Sequence, residues 1–240
     1  MKQKSISVFL PALNEQENIK TCIQSVQKYL AKRFKDWEIL VISNGSRDNT
    51  TKIVREFARR DKHIKSIDNK KLGYGLALRS GFSNSSKELI FYTDADNQFN
   101  IEDMDVLLPL INRYDIVSGY RIKRKDPLMR IFIGWVYNML IRILFNLKVR
   151  DVDASFKLYK REVFEKMSLK ANTGLIDAEV LIKARKKGFK IGQIGVKHYP
   201  RMKGRTIYEV GGRNKIFAFV GPWVIKDILV EIKDLWGDLR

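Results

Sequence analysis

The sequence predicts an α/β fold, with a mostly parallel sheet covered by helices on both faces. Two observations carry this. Continuously apolar runs rich in β-formers, such as "SISVFLPA", "WEILVIS" and "ELIFYT", alternate with stretches of helical period. Strands that are apolar on both sides need cover on both faces, and crossover helices supply it. At 240 residues and 45% hydrophobic composition, the chain can bury one substantial core. We read one domain over 1–210 and an amphipathic helical tail over 211–240.

The elements follow in order. "SISVFLPA" is a strand and "NEQENIKTCIQSVQKYLAK" a helix, with Cys22 on its buried face. A single cysteine allows no internal disulfide, fits a reducing compartment and is expected to be inert packing. "WEILVIS" is a second strand, and "DNTTKIVREFARR" a helix opening on Asp48 and Asn49 as caps. "IKSID" is a short strand, and "GYGLALRSGFSNS" a helix entered through glycines. After "ELIFYT" a helix is expected from about Ile101, capped by Asn100, with Glu102 and Asp103 suiting the dipole of its first turn. "DIVSGYR" is another strand, and "GLIDAEVLIKARKKGFKI" a helix with Asp177 and Glu179 near its start.

Past Arg121 the order changes. Pro127 to Val149, "PLMRIFIGWVYNMLIRILFNLKV", approaches the ~20 apolar residues of a membrane span. Yet Arg130, Gly134, Asn138, Arg142 and Asn146 recur every four positions as a polar stripe. Charges make a span expensive, so a helix lying in the membrane interface is the expectation. Flanking "RIKRK" and "KVR" would meet anionic head groups. The tail carries Val224, Ile225, Ile228, Leu229, Ile232 and Leu235 on one face, and Gly221-Pro222 breaks the apolar run before it. The formal net charge of +19 points to nucleic acid, an anionic membrane surface or phosphorylated substrates. Nucleic acid is set aside because no interleaved aromatic and basic platform is present in the sequence. "MKQKSISVFLPA" runs straight into a strand, so no secretion signal is expected. The expected location is the cytoplasm, peripheral on the inner face of the membrane.

Chemistry concentrates at "YTDADNQ". Asp94 and Asp96 lie two positions apart at the end of a buried strand, where ligands of α/β sheets usually bind. In an extended chain both project to one side, and Gln98 with them. Two hard oxygen donors there suit Mg²⁺ or Mn²⁺, with diphosphate oxygens completing the shell.

"VFLPALNEQENI", "EILVISNGSRDNT", "YTDADNQ", "SGYR" and "RDVDASFKLYKREVF", in this order, resemble glycosyltransferase family 2. The resemblance runs from about Ser5 to Arg205 and points to the dolichol-phosphate mannose synthase-like, polyprenyl-phosphate branch. It implies the glycosyltransferase-A fold, a nucleotide-sugar donor such as a GDP- or UDP-hexose, Mg²⁺ or Mn²⁺, and inversion at the anomeric carbon. By position it places Pro11, Ala12, Asn14 and Glu15 in the nucleotide pocket. Asp94, Ala95 and Asp96 become the metal–diphosphate motif, with Gln98 a further metal ligand. Asp96, Asp151 and Arg121 fall at the catalytic centre. Arg121 and Arg130 match positions serving the lipid phosphate, and Arg201 and Arg205 a later basic loop. Ser43 and Asn44 stand where the family has paired aspartates, which leaves the base open. Ala154-Ser155 stands where it has a small residue and glycine.

The acceptor sets the mechanism. A phosphate monoester is anionic near neutrality and needs alignment by arginine rather than a strong base. A saccharide hydroxyl needs a base, and Asp151 or Asp153 stays open for that role. His63 falls in a surface turn, and His198 is read as structural or orienting. The leading reading is hexose transfer to a polyprenyl phosphate, dolichyl or undecaprenyl. The alternative is transfer to a saccharide hydroxyl.

Overall fold

The computed structural model describes residues 4–69, 71–126, 128–204 and 222–238. Seven strands form one sheet: β1 (Ile6–Ala12), β2 (Trp37–Ser43), β3 (Ile64–Asp68), β4 (Leu89–Thr93), β5 (Ile116–Ile122), β6 (Phe156–Lys160) and β7 (Ile191–Lys197). Their order across the sheet is β3-β2-β1-β4-β6-β5-β7. Only β6 runs antiparallel to its neighbours, β4 and β5; the other pairs are parallel. The expected mostly parallel sheet is borne out.

Alternation along the strands divides the core. Val8 and Leu10 face α1 (Ile19–Arg33) and α2 (Thr50–Arg60), whose Ile23 and Val54 share their cluster. Phe9, Leu40 and Tyr92 face the other way, with α3 (Tyr74–Asn84) and α7 (Ile176–Lys186). Every residue of β1, β2 and β4 is buried, as their unbroken apolar runs require. Ile232 and Leu235 of α8 (Pro222–Asp238) are buried in the second cluster too. Cys22 is buried, and burial pushes its thiol pKa up, so its packing role stands.

Three elements differ from the sequence reading. The helix expected from Ile101 is a 3-10 turn at Ile101–Asp103, then a single turn α4 (Met104–Leu107), then another 3-10 turn at Leu110–Asn112. Pro109 has no N–H to donate and ends it. Asn100 does cap this entry, its Oδ1 accepting from Glu102 N at 3.1 Å. At α2, Asp48 rather than Asn49 does the capping, accepting from Thr50 N at 2.9 Å. The long apolar helix, α5 (Leu128–Phe145), stops four residues before Val149, because Asn146 takes a left-handed φ of 51°. Leu147 and Val149 then turn back into the core. The remaining short helix is α6 (Glu162–Glu165).

The sheet's amino edge carries a buried carboxylate. Glu38 accepts hydrogen bonds from Ser7 Oγ (2.6 Å), Ser86 N and Oγ (both 2.8 Å) and Lys65 Nζ (2.7 Å). Burial alone would raise its pKa; these donors outweigh burial and hold it at about 2. An unfolded glutamate sits near 4.5, so this contribution is complete above that pH and is lost as pH falls towards 2. Glu38→Gln is expected to cost about 1.5–3 kcal/mol at pH 7 and to flatten the acid limb of the stability curve. Urea unfolding at a series of pH values from neutral downward measures both. An acid limb unchanged by the substitution rejects this account.

Candidate active site

The carboxyl ends of β1, β2 and β4 meet at one edge, where parallel strands present their loops. Pro11 and Ala12 close β1, paired with Ile42 and Ser43 of β2. Asn14 holds a left-handed φ of 56°, accepts from Arg47 N at 2.8 Å and donates its own N–H to Ser46 Oγ at 3.1 Å. The first two βα loops are thus tied together. Glu15 N donates to Thr50 Oγ1 at 2.8 Å, and its carboxylate accepts from Asn18 Nδ2 at 2.7 Å. Ser43 shares a hydrogen bond with Thr51 Oγ1. Asn44 donates its amide N–H to Gly73 O at 2.9 Å, while its buried Oδ1 has no partner among the described residues. That leaves one acceptor at the position where the family resemblance places base recognition.

Asp94 and Asp96 follow β4 directly, around buried Ala95. Asp94 accepts from Tyr74 Oη at 3.3 Å. Burial and then the adjacent Asp96 push its pKa up, against a hydrogen bond from Ser155. Burial also raises that of Asp96, which accepts from Gln98 N at 3.1 Å and Arg201 Nη1 at 3.2 Å. Asn97 reverses the chain at a φ of 59°. Gln98 holds Tyr199 through its side chain (Nε2 to O, 3.2 Å) and its backbone (O from Tyr199 N, 2.9 Å). Its amide nitrogen therefore fastens the segment after β7 to the aspartate turn.

That segment delivers Arg201, whose guanidinium bridges Glu15 and Asp96. Arg201 thus lies on the donor carboxylates, and Arg205 falls outside the described residues. His198 is buried against Phe99 and accepts from Lys125 N at 3.4 Å. Burial and neighbouring arginines lower its pKa to about 4, which suits a structural part.

Arg121, next to last in β5, closes its fork on Asp151, with Nε to Oδ2 at 2.8 Å and Nη2 to Oδ1 at 2.7 Å. Burial would raise the Asp151 pKa, but Arg121 outweighs it and holds the carboxylate below its ordinary range. A carboxylate so held orients its arginine and is a poor base. Asp153, half-buried, is pushed up to about 7 by burial and by Asp177. Asp126 gathers Arg124 at 2.9 Å and Arg130 at 3.4 Å.

The sequence reading missed Lys157. It is fully buried, paired in register with Tyr92 of β4, and its Nζ lies 2.7 Å from Asp177 and 3.2 Å from Tyr92 Oη. It also donates to Ala154 O, and Tyr92 Oη donates to Asp177. A lysine between Phe156 and Leu158 in a strand buried on both faces was the available signal. Glu179 is buried and accepts from the N–H groups of Lys170 and Ala171 at 2.8–3.0 Å.

Comparison with known proteins identifies the family. The family model described as glycosyl transferase family 2 matches residues 7–168. A dolichyl-phosphate beta-glucosyltransferase, ALG5C, of Trichomonas vaginalis is 28% identical over 91% of this chain and 73% of its own length. An undecaprenyl-phosphate 4-deoxy-4-formamido-L-arabinose transferase of Salmonella choleraesuis is 32% identical over 68% of this chain and 51% of its own. Among solved structures, glucosyl-3-phosphoglycerate synthase of Mycobacterium tuberculosis, in complex with Mn²⁺, UDP and glucosyl-3-phosphoglycerate, superposes with a TM-score of 0.64. It is 20% identical over 85% of this chain and 74% of that one. The likeness fixes the fold as glycosyltransferase-A. With the family model covering most of the chain, this protein belongs to glycosyltransferase family 2 and is a glycosyltransferase.

Proposed function

We propose that this enzyme moves a hexose from a nucleotide sugar to the phosphate of a polyprenyl phosphate, at a membrane surface. The observation that carries the reading is one edge with two characters. Under-neutralised carboxylates, Asp94 and Asp96, stand at the end of β4, and the end of β5, beyond β6 in the sheet, is rich in arginine. The relatives named for dolichyl and undecaprenyl phosphate support this acceptor class.

The two aspartates fit a divalent cation. They are hard oxygen donors whose raised pKa values record a charge the chain itself does not fully balance. Among the described residues no third carboxylate, histidine or cysteine joins them, so diphosphate and water oxygens would complete the shell. Mg²⁺ or Mn²⁺ bound there supplies charge stabilisation for the departing nucleoside diphosphate. Pro11, Ala12, Asn14, Glu15, Ser43 and Asn44 frame the nucleotide. An acceptor phosphate oxygen attacks the anomeric carbon, the bond to the diphosphate breaks, and configuration inverts. The phosphate is already anionic, so no base is required. Asp151 holds Arg121 in place beside it, and Arg130 stands at the start of α5.

One observation favours a second reading. Asp153, with its pKa pushed to about 7, has the basicity to activate a saccharide hydroxyl. Turnover with polyprenyl phosphate against saccharide acceptors, across a panel of nucleotide sugars, separates the two.

The membrane part rests on α5. Leu128 (85%), Phe132 (58%), Trp135 (59%) and Ile143 (69%) are exposed, whereas Asn138 of the polar stripe is buried. A helix that turns such a row of apolar residues outward is suited to lipid. Among the described residues no helix is long and apolar enough to cross a membrane. Lys123, Lys125, Lys148 and Arg150 flank α5 and would meet the anionic inner leaflet.

Two outcomes are expected. Asp94→Asn should lower turnover and metal-dependent donor binding by about a hundredfold or more, the scale of a lost charged contact. It should also stabilise the metal-free protein at pH 8. The folded pKa of Asp94 lies above its unfolded value, so ionisation opposes folding as pH rises from about 4 through neutrality. Calorimetry of nucleotide binding with and without Mn²⁺, plus melting curves, reads both; wild-type turnover in this variant would remove the metal assignment. Separately, wild type should bind anionic vesicles at low salt. A Phe132→Glu/Ile143→Glu variant should bind at least about tenfold more weakly at an unchanged melting temperature. Flotation that shows no wild-type binding takes the membrane out of the model.

A further inference from the structure

Helix α3 is entered through "GYG", and its two glycines leave little room for anything larger. A Cβ on Gly75 would stand 2.5 Å from Ala171 O, and one on Gly73 3.1 Å from Asn172 O. Gly75 N also donates to Asn172 O at 2.9 Å. The first turn of α3 is therefore pressed against the backbone of the loop 170–173. The same turn reaches the donor half of the site in two places. Gly73 O accepts from Asn44 Nδ2 at 2.9 Å, and Tyr74 Oη donates to Asp94 at 3.3 Å.

Two carboxylates hold the loop from behind. Glu179 of α7 takes the N–H groups of Lys170 and Ala171. Glu231 of α8 takes the next two, Asn172 N at 2.8 Å and Thr173 N at 3.4 Å, together with Thr173 Oγ1 at 2.6 Å. Arg79 adds a tie from α3 itself, its Nη1 donating to Lys170 O at 3.3 Å and to Asn172 Oδ1 at 3.2 Å. Helix α8 already packs into the core through Ile232 and Leu235. A half-buried carboxylate beside them costs desolvation, and three donors from one loop offset it.

We propose that Glu231 is a positioning residue of the donor site. Through the loop 170–173 it sets the first turn of α3, and through Tyr74 it sets the direction of Asp94. This rests on the metal–nucleotide reading above and extends it to α8. Loop and helix both lie beyond residue 168, where the family match ends. A group that hydrogen-bonds a metal ligand from outside fixes its orientation, and losing such a group typically lowers metal affinity about 10- to 100-fold.

The test is a titration of Mn²⁺ in the presence of UDP or GDP, with free Mn²⁺ read by electron paramagnetic resonance. Tyr74→Phe and Glu231→Gln are each expected to weaken Mn²⁺ binding about tenfold. The glutamine turns an amide N–H group towards a loop that offers only donors there. The double variant should bind little more weakly than Tyr74→Phe alone, because the last link is already cut. Gly75→Ala presses on the same contact from the α3 side and should weaken binding likewise. A Glu231 that only supports the fold gives a lower melting temperature with wild-type Mn²⁺ affinity, or losses that multiply in the double variant. Either result overturns the proposal.

Wild type supplies a readout that does not depend on how the variants fold. Coupling is reciprocal, so Mn²⁺ with nucleotide should slow hydrogen exchange at the Asn172 and Thr173 amides severalfold. Nucleotide binding that leaves these amides indifferent sinks this inference alone. If neither nucleotide binds wild type with Mn²⁺, the metal–nucleotide reading falls and this inference with it.

Discussion

A lysine with no solvent exposure sits at the centre of this structure, and much of the site depends on how its charge is met. Lys157 lies on β6, the one strand running against its neighbours, at the register position opposite Tyr92. Burying an ammonium costs several kcal/mol unless it is paired and hydrogen-bonded. Asp177 of α7, Tyr92 of β4 and the carbonyl of Ala154 provide that, from three separate parts of the chain. The knot fixes where the loop 151–155 enters the sheet. Because β4 ends one residue after Tyr92, the same knot sets Asp94 against Ser155.

From this point the edge divides by charge. On the β1 and β4 side lie Glu15, Asp94 and Asp96, and burial raises the pKa of all three, with repulsion from Asp96 adding at Asp94. Arg201 spans Glu15 and Asp96 but has no bond to Asp94. On the β5 side, Asp126 and Asp151 are distributed among arginines so that the cations keep fixed positions instead of repelling one another. A donor that carries diphosphate with a metal suits the first half, and an anionic acceptor suits the second.

How much of this was legible follows from the physics of each signal. Strand burial is written in continuous apolar runs, and β1, β2 and β4 were read without structure. The aspartate turn was legible because two carboxylates at the end of an interior strand have few structural uses. Pro109 was visible, but a local apolar pattern spoke louder than one missing donor, so a helix is expected from Ile101 where only single turns form. Lys157 escaped because its partners lie 20 and 65 residues away, a distance no local pattern encodes. The polar residues of α5 were legible, but not that Asn138 would be buried while Arg142 stays exposed; the burial of Asn138 goes with Val152 offering its N–H to it. That contact belongs to the fold and not to the helix.

The orientation of α5 also explains why an exposed apolar helix and a costly carboxylate cluster belong in one protein. A soluble fold would turn Phe132, Trp135 and Ile143 inward and leave Asn138 in water. Here Asn138 is committed to the loop 151–155, so the helix cannot rotate without releasing the segment that carries Asp151 and Ser155. The exposed apolar row is thus a consequence of site geometry. The carboxylates act in the same direction: burial of the Asp94 charge, with repulsion from Asp96, weakens the metal-free fold and becomes affinity once cations arrive. Both features cost stability in the empty protein in water, and both costs are relieved by the ligands and the surface the enzyme is proposed to work with.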